Sequence, residues 1–595
     1  MLRHRCRWPW VQAAITWWVL SAATLILPGG ARAAGPPVRT VPIPGSRFAS
    51  PHTQLAFRGV PAGALGAIVV TGSRSGVHAG RVEGDSDGQG ASFLPSVAFK
   101  PGEVVTVTTG LDLVGAASGT LQFTIAHPAG GISPLPRPSA ARVKGDVMRF
   151  PSRPDLVPAA IRVVRNAPGA MPGDIFVAPQ IGPVQDGPMI LGQHGSLVWF
   201  KPVPGQDWVS DFRVQSYLGK PVLTWWQGNV DAGVGNGQGE IYDSHYVQIA
   251  VVRGADGLAS DLHEFQLTSA GTALITAYYP VFMDASSVKN GPKRAVVLDS
   301  VVQEIDIPTG LVLFQWDSLD HVPLTESETA YPAGTQHPYD YFHVNSIQQD
   351  TDGNLVVSGR NTWAAYKIDH GTGAVLWRLG GRRSTFRIGS SAQFAFQHDI
   401  RIHPGNLVTL FDDGAGPPYV HKQSRAITLR LDPVHLTASL AGQDLHTPSL
   451  LAGFEGNDQS LANGDSMVGW GQLPYFTEFN ARGQAVFDAR FVDANYNYRA
   501  YRFPWSGAPF TQPAVTGAIS GNRETVYASW NGATGVASWR VLAGNTPGSL
   551  QSVVTAPKRA FEGVIRLPTR RRFVAVQALD SQGHTLASSK TIAVR

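Results

Sequence analysis

Cysteine is nearly absent from this sequence. Cys6 is the only one among 595 residues, whereas Gly (65) and Pro (43) are abundant. Cys6 lies inside an expected export signal, so we expect the processed chain to contain no thiol. Such a chain has no disulfide, no cysteine nucleophile and no cysteine-ligated metal.

A surplus of positive charge is also absent once that signal is set aside. The chain has 48 Lys and Arg against 43 Asp and Glu, and four of the arginines fall in the first 33 residues, which contain no acid. The remainder is therefore close to neutral. A near-neutral chain offers no electrostatic footprint for nucleic acid, so we expect no nucleic-acid partner.

Residues 1–33 have the pattern of an export signal. Arg3, Arg5 and Arg7 form a basic start, and an apolar run from residue 13 to 27 is too short to span a membrane comfortably. Ala31-Arg32-Ala33 matches a small-x-small cleavage site. We expect a secreted, periplasmic or cell-surface protein that begins near Ala34 and has no integral membrane segment after signal removal.

Long amphipathic helices are also missing, and a loose repeat of strands and turns takes their place. Between about Gly173 and Val492 a turn followed by an apolar strand recurs, as in GTALITAYYP, GNLVVSGR and GNLVTLFDD, and hairpins such as YKIDHGTGAVLWRL alternate with it. Four-stranded units repeated at about 40–50 residues are typical of β-propeller blades. The sequence predicts an all-β protein with a six-bladed propeller over residues 170–505; five or seven blades remain open.

Two flanking regions have a different strand pattern. Residues 36–150 contain short strands between Gly and Pro turns, which predicts an N-terminal β-sandwich. Residues 513–595 contain ETVYASWNG and RRFVAVQALDSQG, which look like strands of a fibronectin type III module.

One predicted hairpin brings polar residues together. Strands are expected over residues 342–350 and 355–360, joined by a tight turn at Asp352-Gly353. That register places Asn345 opposite Arg360, with His343 on the same face. A guanidinium beside an imidazole suits an oxyanion such as sulfate or phosphate, although a polar sheet face with a solvated arginine is the plainer interpretation.

Further chemistry-bearing residues lie on other repeats. His263 occurs in DLHEF, His398 occurs in FQHD, and aromatic side chains are available at Trp363, Trp470 and Tyr475. The inner strands of a propeller converge on one axis, so residues distant in sequence can share a central cavity. Taken singly, each motif is weak, since His398 could be an ordinary strand residue and His263 could close a turn against Asp261.

Taken together, the HEF, HVNS, SGR and FQHD motifs resemble the bacterial arylsulfotransferases that do not use a nucleotide sulfate donor. The resemblance covers about residues 263–479. It implies a secreted six-bladed propeller that moves a sulfuryl group from an aryl sulfate to a phenol, with His398 as the sulfated residue. It also implies that His343, Arg360 and His263 bind the sulfuryl oxygens and assist proton transfer, without a metal or cofactor.

We expect Asn345, Trp363, Trp470 and Tyr475 to contact the substrates, which would be a small aryl sulfate donor and a phenolic acceptor. The chain departs from the family in lacking the disulfide that its characterised members often carry, and in its fibronectin-like region. Two alternatives stay open. One is a non-catalytic propeller that binds sulfated, phenolic or cell-wall ligands; the other is a quinone-dependent oxidoreductase, for which no metal-ligand cluster is evident in the sequence.

Overall fold

The computed structural model describes residues 37–131, 137–182, 184–332, 334, 337–521 and 523–594, and the protein is all-β, as predicted. The expected export signal lies outside the described residues. Within them, helical structure is limited to single turns. These are the α-helical turn Ser318–His321 and the 3-10 turns Ala62–Ala64, Leu324–Glu326, Arg360–Thr362 and Ser390–Ala392.

The central part of the described chain consists of six antiparallel four-stranded units, numbered here in chain order. The strands of each unit are given from the one nearest the centre outward. Unit 1 contains Tyr501–Phe503, Asp174–Val177, Met189–Leu191 and Leu197–Phe200. Unit 2 contains Trp208–Tyr217, Lys220–Asp231, Val234–Tyr242 and Gln248–Val252. Unit 3 contains Ser260–Leu267, Thr272–Met283, Ala295–Asp306 and Val312–Asp317. One residue pair, Gly237 with Ser260, joins units 2 and 3 into a single sheet.

The other three units follow the same plan. Unit 4 contains Val344–Gln349, Leu355–Gly359, Ala364–Ile368 and Val375–Gly380. Unit 5 contains His398–His403, Leu407–Asp412, Arg425–Asp432 and Thr437–Asp444, with Arg387–Ile388 added in parallel at its edge. Unit 6 contains Asn457–Ser460, Ser466–Gly469, Tyr475–Phe479 and Ala485–Phe491.

The inner strands of the six units form a closed ring. A segment distant in sequence completes it, since the inner strand of unit 1 comes from residues 501–503. Ile161–Asn166 adds a fifth strand to the outer edge of unit 6. A side chain bridges each neighbouring pair of units. The bridges are Ser210 to Leu262, Glu264 to Ile347, Ser346 to Ile400, Asp399 to Asp458, Asn457 to Ala500 and Tyr501 to Asp211.

The flanking regions each form two sheets around a core of their own. The N-terminal sheets contain Arg39–Val41, Leu55–Arg58, Gly90–Pro95 and Gly80–Gly84, and Gly76–Val77, Val69–Gly72, Val104–Thr108 and Thr120–Thr124. The C-terminal sheets contain Ala514–Ser520, Arg523–Ser529 and Glu562–Leu567, and Gln551–Pro557, Ser538–Gly544, Phe573–Leu579, Thr585–Ser588 and Ile592–Ala593.

The hairpin of unit 4 differs from its predicted register. The pairs are Ile347 with Val357 and Gln349 with Leu355, so the turn has three residues and closes through Asp350 and Asn354. The register then shifts between Val344 and Ser346, which makes Asn345 the extra residue of a bulge. Arg360 is not in the strand but begins a 3-10 turn, so the predicted pairing of Asn345 with Arg360 is wrong.

In the described part of the chain, none of the helical segments has the length and apolar character needed to cross a membrane.

Candidate active site

A cavity lies where the inner strands of the ring begin. It has a volume of about 360 Å³ and is lined from several units by charged, aromatic and apolar side chains. All four residues singled out by the motifs line it: His263, His343, Arg360 and His398. The structure therefore brings together residues that are up to 135 positions apart. His343 and His398 lie at or beside the start of an inner strand, His263 lies within one, and Arg360 follows the end of the strand next to one.

The imidazole of His398 has a defined tautomer. Its Nδ1 is 2.7 Å from Oδ2 of Asp413, and its Nε2 is 3.2 Å from the backbone nitrogen of Glu455. A backbone N–H only donates, so Nε2 must be the unprotonated nitrogen and Nδ1 must carry the proton that goes to Asp413. His398 thus presents a lone pair on the ring edge opposite Asp413.

The surroundings of His398 keep this ring neutral. Burial lowers the pKa of His398 well below its ordinary value, and the Arg360 cation and the two other cavity imidazoles lower it further. His398 is 1% exposed and Asp413 is completely buried. A neutral, desolvated imidazole with an unprotonated Nε2 is a competent nucleophile.

His263 and His343 repeat the same arrangement. Nδ1 of His263 is 2.6 Å from Oδ2 of Asp261, and Nδ1 of His343 bonds Oδ2 of Asp340. The two rings contact each other edge to face, with centroids 4.8 Å apart. Burial lowers the pKa of His343, and Asp340 opposes that effect, so an anion arriving in the cavity would favour the imidazolium form.

Arg360 supplies a cation whose own contacts are neutral. It donates to the side-chain oxygen of Asn361 at 2.9 Å and to the carbonyl of Gly453 at 2.8 Å, and it stacks over Phe396 at 4.8 Å. Its Nε is buried and has no hydrogen-bond partner among the described residues. A guanidinium held this way has charge available for a sulfuryl or phosphoryl oxygen.

The aromatic wall of the cavity is formed by residues that the sequence analysis did not single out. Trp208, Phe454 and Tyr496 line it, from the inner strand of unit 2 and from the segments that precede the inner strands of units 6 and 1. The tip of the unit 2 hairpin closes over it, with Gly233 in the left-handed region (φ +84°) near the His343 ring. An aromatic wall of this kind suits an aryl group.

The predicted substrate-contacting residues are not among the residues that line the cavity. Trp470 and Tyr475 pack around His446 in the core of unit 6, and Trp363 packs against Phe396. Asn345 is buried and donates to the Gln397 carbonyl at 2.7 Å, which links units 4 and 5. Aromatic residues near a strand end therefore do not identify a cavity wall, because their side-chain direction depends on the strand register.

An ionic network surrounds the axis of the ring beside the cavity. Arg499 is completely buried and contacts Asp211 at 3.0 Å and Glu264 at 3.2 Å, and Glu264 also binds Arg213 and Arg401. These residues come from three different units and from the segment that closes the ring. The network links the inner strands of units 2, 3 and 5 to the segment that closes the ring.

The sequence motifs do not include the three aspartates that position the imidazoles. Asp413 lies next to His398 because His398 pairs with Phe411 in the hairpin. Asp340 precedes His343 by three residues, and Asp261 was noted only as a turn partner. The sequence feature that indicates these pairs is an acidic residue close to each cavity histidine, either in sequence or across its hairpin. Among the described residues no cluster of three or more His, Asp, Glu or Cys side chains is arranged to hold a metal ion.

The fold and site together define an all-β protein with a central cavity that carries three aspartate-linked imidazoles and a guanidinium. Residues 213–492 match the family described as Arylsulfotransferase (ASST), which confirms the resemblance expected from the four motifs. All four motifs lie inside the matched range. No curated protein matches the chain.

Solved structures show only distant likeness. A protein of unknown function from Bacteroides caccae has 11% identity over 56% of this chain and 99% of its own, with a TM-score of 0.34. A periplasmic gluconolactonase from Pseudomonas aeruginosa has 11% identity over 56% and 99%, with a TM-score of 0.32. The extracellular domain of a two-component system from B. thetaiotaomicron has 10% identity over 91% and 66%, with a TM-score of 0.32. TM-scores this low carry no argument about activity.

Proposed function

We propose that this protein is an aryl sulfate:phenol sulfotransferase that works by ping-pong transfer through a sulfated His398. The observation that carries the proposal is the state of His398. Its Nε2 is unprotonated, its Nδ1 is held by Asp413, and the same cavity contains Arg360 and two further imidazoles. The match of residues 213–492 to the arylsulfotransferase family supports the reaction class.

In the first half-reaction Nε2 of His398 attacks the sulfur of the aryl sulfate. The N–S bond forms as the S–O bond to the aryl group breaks, and the departing phenolate takes a proton and leaves as the phenol. By analogy with phosphoryl transfer, the transition state is loose and places negative charge on three peripheral oxygens. Arg360, with His263 and an imidazolium at His343, would stabilise that charge.

In the second half-reaction a phenol enters the emptied cavity and loses its proton. Its oxygen attacks the sulfur, the N–S bond breaks, and the electron pair returns to Nε2 of His398. Burial raises the pKa of Asp413 well above its ordinary value, and the positive charge of the sulfated imidazole would favour its carboxylate form. In that form Asp413, which accepts the Nδ1 proton, stabilises the positive charge while the ring is bonded to sulfur.

The test is the intact mass of the purified protein after incubation with 4-nitrophenyl sulfate without an acceptor, quenched at high pH. We expect a gain of one sulfuryl group, about 80 Da, as covalent catalysis requires. It should map to His398 and disappear when phenol is added. His398→Ala should abolish it.

His435→Ala is the matched control for that variant. His435 also bonds an aspartate, Asp432, at 2.7 Å, but this pair is on the surface. The control should label fully. Tight ligand binding without an adduct or nitrophenol release would instead support the alternative of a non-catalytic binding protein for sulfated, phenolic or cell-wall ligands.

We also propose that the six units are the blades of a six-bladed β-propeller over residues 170–505, between a β-sandwich at 36–150 and a fibronectin type III-like module at 513–595. The closed ring of inner strands and the separate cores of the flanking sheets support this division. We propose further that residues 1–33 direct export. N-terminal sequencing of the processed protein should then begin near Ala34.

A further inference from the structure

Glu455 is a cavity residue that neither the motifs nor the reaction proposed above account for. It lines the cavity beside Phe454, and its backbone N–H contacts Nε2 of His398. Its backbone is in the left-handed region (φ +67°), which is costly for a residue with a side chain. Gly456 follows with φ +109° and lies against the Phe411 ring, where no Cβ fits. The turn that places Glu455 beside His398 is therefore strained, at a cost in conformational free energy.

The carboxyl of Glu455 differs from the other acids around the cavity. Asp261, Asp340 and Asp413 each accept a hydrogen bond from an imidazole. Glu455 is only 8% exposed, and its Oε2 has no hydrogen-bond partner among the described residues. Burial raises the pKa of Glu455 well above its ordinary value, which favours its protonated form.

The chemistry of the site requires such a group. Nδ1 of each cavity histidine donates to its aspartate, so a neutral imidazole presents only a lone pair to the ligand. In the reaction proposed above, an imidazolium at His343 would use its Nε2 proton to hold a sulfuryl oxygen. The departing phenolate needs a proton from another source, and among the described residues that line the cavity Glu455 is the one with a carboxyl group.

We propose that Glu455 is a further catalytic residue, which donates its proton to the departing phenolate and recovers a proton from the incoming phenol. The inference rests on the proposed function. In the first half-reaction the carboxylic acid O–H breaks as the phenol O–H forms, which leaves a carboxylate. In the second half-reaction that carboxylate takes the proton of the acceptor phenol as its oxygen attacks sulfur. Neither step needs a further reactant.

The test compares two donors of different leaving-group basicity in wild-type protein and in Glu455→Gln. The phenol released from phenyl sulfate has a pKa of about 10, like the tyrosine side chain, and needs protonation. The 4-nitrophenolate is a weaker base and leaves without help. We expect Glu455→Gln to sulfate His398 from 4-nitrophenyl sulfate within roughly threefold of wild type, and from phenyl sulfate at least ~100-fold more slowly, the usual size of a general-acid effect.

Glu240→Gln is the matched control, since Glu240 is also a buried carboxyl but bonds Gln238 away from the cavity. It should change neither rate. An equal loss of sulfation rate with both donors would overturn the proposal and would indicate that Glu455 has only a structural role. An unchanged rate with phenyl sulfate would overturn it as well. If the wild-type protein forms no adduct even with 4-nitrophenyl sulfate, the proposed function fails, and the role of Glu455 fails with it.

A second measurement needs no variant. In wild-type protein the ratio of the two rates should increase as rising pH removes the Glu455 proton. The titratable and charged groups that share the cavity with Glu455 are His263, His343, His398, Arg360 and Tyr496, and Asp413 lies behind His398. The proposed role of His343 is to hold sulfuryl oxygens, which both donors share, so its titration should change both rates alike. His398 is neutral throughout this range and cannot produce the change. A ratio that stays constant with pH would refute the proton transfer.

Discussion

Asp413→Asn tests the central feature of the proposed site, which is the link between the nucleophile and its aspartate. The Nδ1 of His398 and Oδ2 of Asp413 are 2.7 Å apart, and both residues are buried. When Nε2 of His398 bonds sulfur, the ring becomes positively charged. Two opposite charges about 4 Å apart interact by about 4 kcal/mol at an effective dielectric constant of about 20. Because burial raises the pKa of Asp413 well above its ordinary value, part of that energy is used in forming the carboxylate, and about 4 kcal/mol is the upper end of the effect.

That interaction corresponds to about a 10³-fold change in rate, since each 1.36 kcal/mol is a factor of ten. The asparagine amide can also donate to Nδ1 and force the other tautomer. Nε2 would then carry a proton that faces the Glu455 N–H, and it could not attack. We therefore expect the rate of His398 sulfation in Asp413→Asn to fall by at least ~100-fold.

The assay is single-turnover release of nitrophenol from 4-nitrophenyl sulfate, with adduct mass as a second readout. Donor affinity should change little, because Asp413 is not among the residues lining the cavity. Asp432→Asn is the matched control, since it alters the exposed aspartate of the Asp432–His435 pair. Wild-type sulfation by a folded Asp413→Asn protein would refute the reasoning, as would an effect confined to donor affinity.

Three other predictions follow from the charges around the cavity. Arg360→Lys keeps the positive charge but loses the planar guanidinium that bonds Asn361 and Gly453. A charged hydrogen bond contributes about 1.5–3 kcal/mol, so kcat/KM for the donor should fall about 10–100-fold. Unchanged steady-state kinetics would contradict a role of Arg360 in binding the sulfuryl group. Burial lowers the pKa of His343 in the free protein, and a bound anion would raise it. Donor binding should therefore take up a proton, and donor affinity should weaken as pH rises. Calorimetry in buffers of different ionisation enthalpy measures the proton uptake, and its absence would count against an imidazolium at His343. Arg499→Met removes a buried cation that contacts Asp211 and Glu264. The free energy of unfolding measured in urea should therefore decrease by about 3–5 kcal/mol. A decrease of less than about 1 kcal/mol would mean that this network does not stabilise the ring of inner strands.

Local features of the sequence were sufficient for the strand-rich fold and for the four motif residues. Turn residues such as Gly353 and Gly405 (φ +84° and +78°) mark where strands must reverse, and alternating apolar positions mark the strands between them. These signals act over a few residues. They do not reveal the bulge at Asn345, because that bulge depends on how unit 4 contacts units 3 and 5.

The sequence by itself determined that this protein is all-β and that His263, His343, Arg360 and His398 are its candidate reactive groups, since motif chemistry and strand period are properties of short segments. Only the tertiary structure decided which nitrogen of His398 is free, which aspartates hold the imidazoles, and that Trp208, Phe454 and Tyr496, rather than Trp470 and Tyr475, face the cavity. The reason is physical. These contacts join strands from different units, and a shift of one residue in register turns a side chain to the opposite face of its sheet.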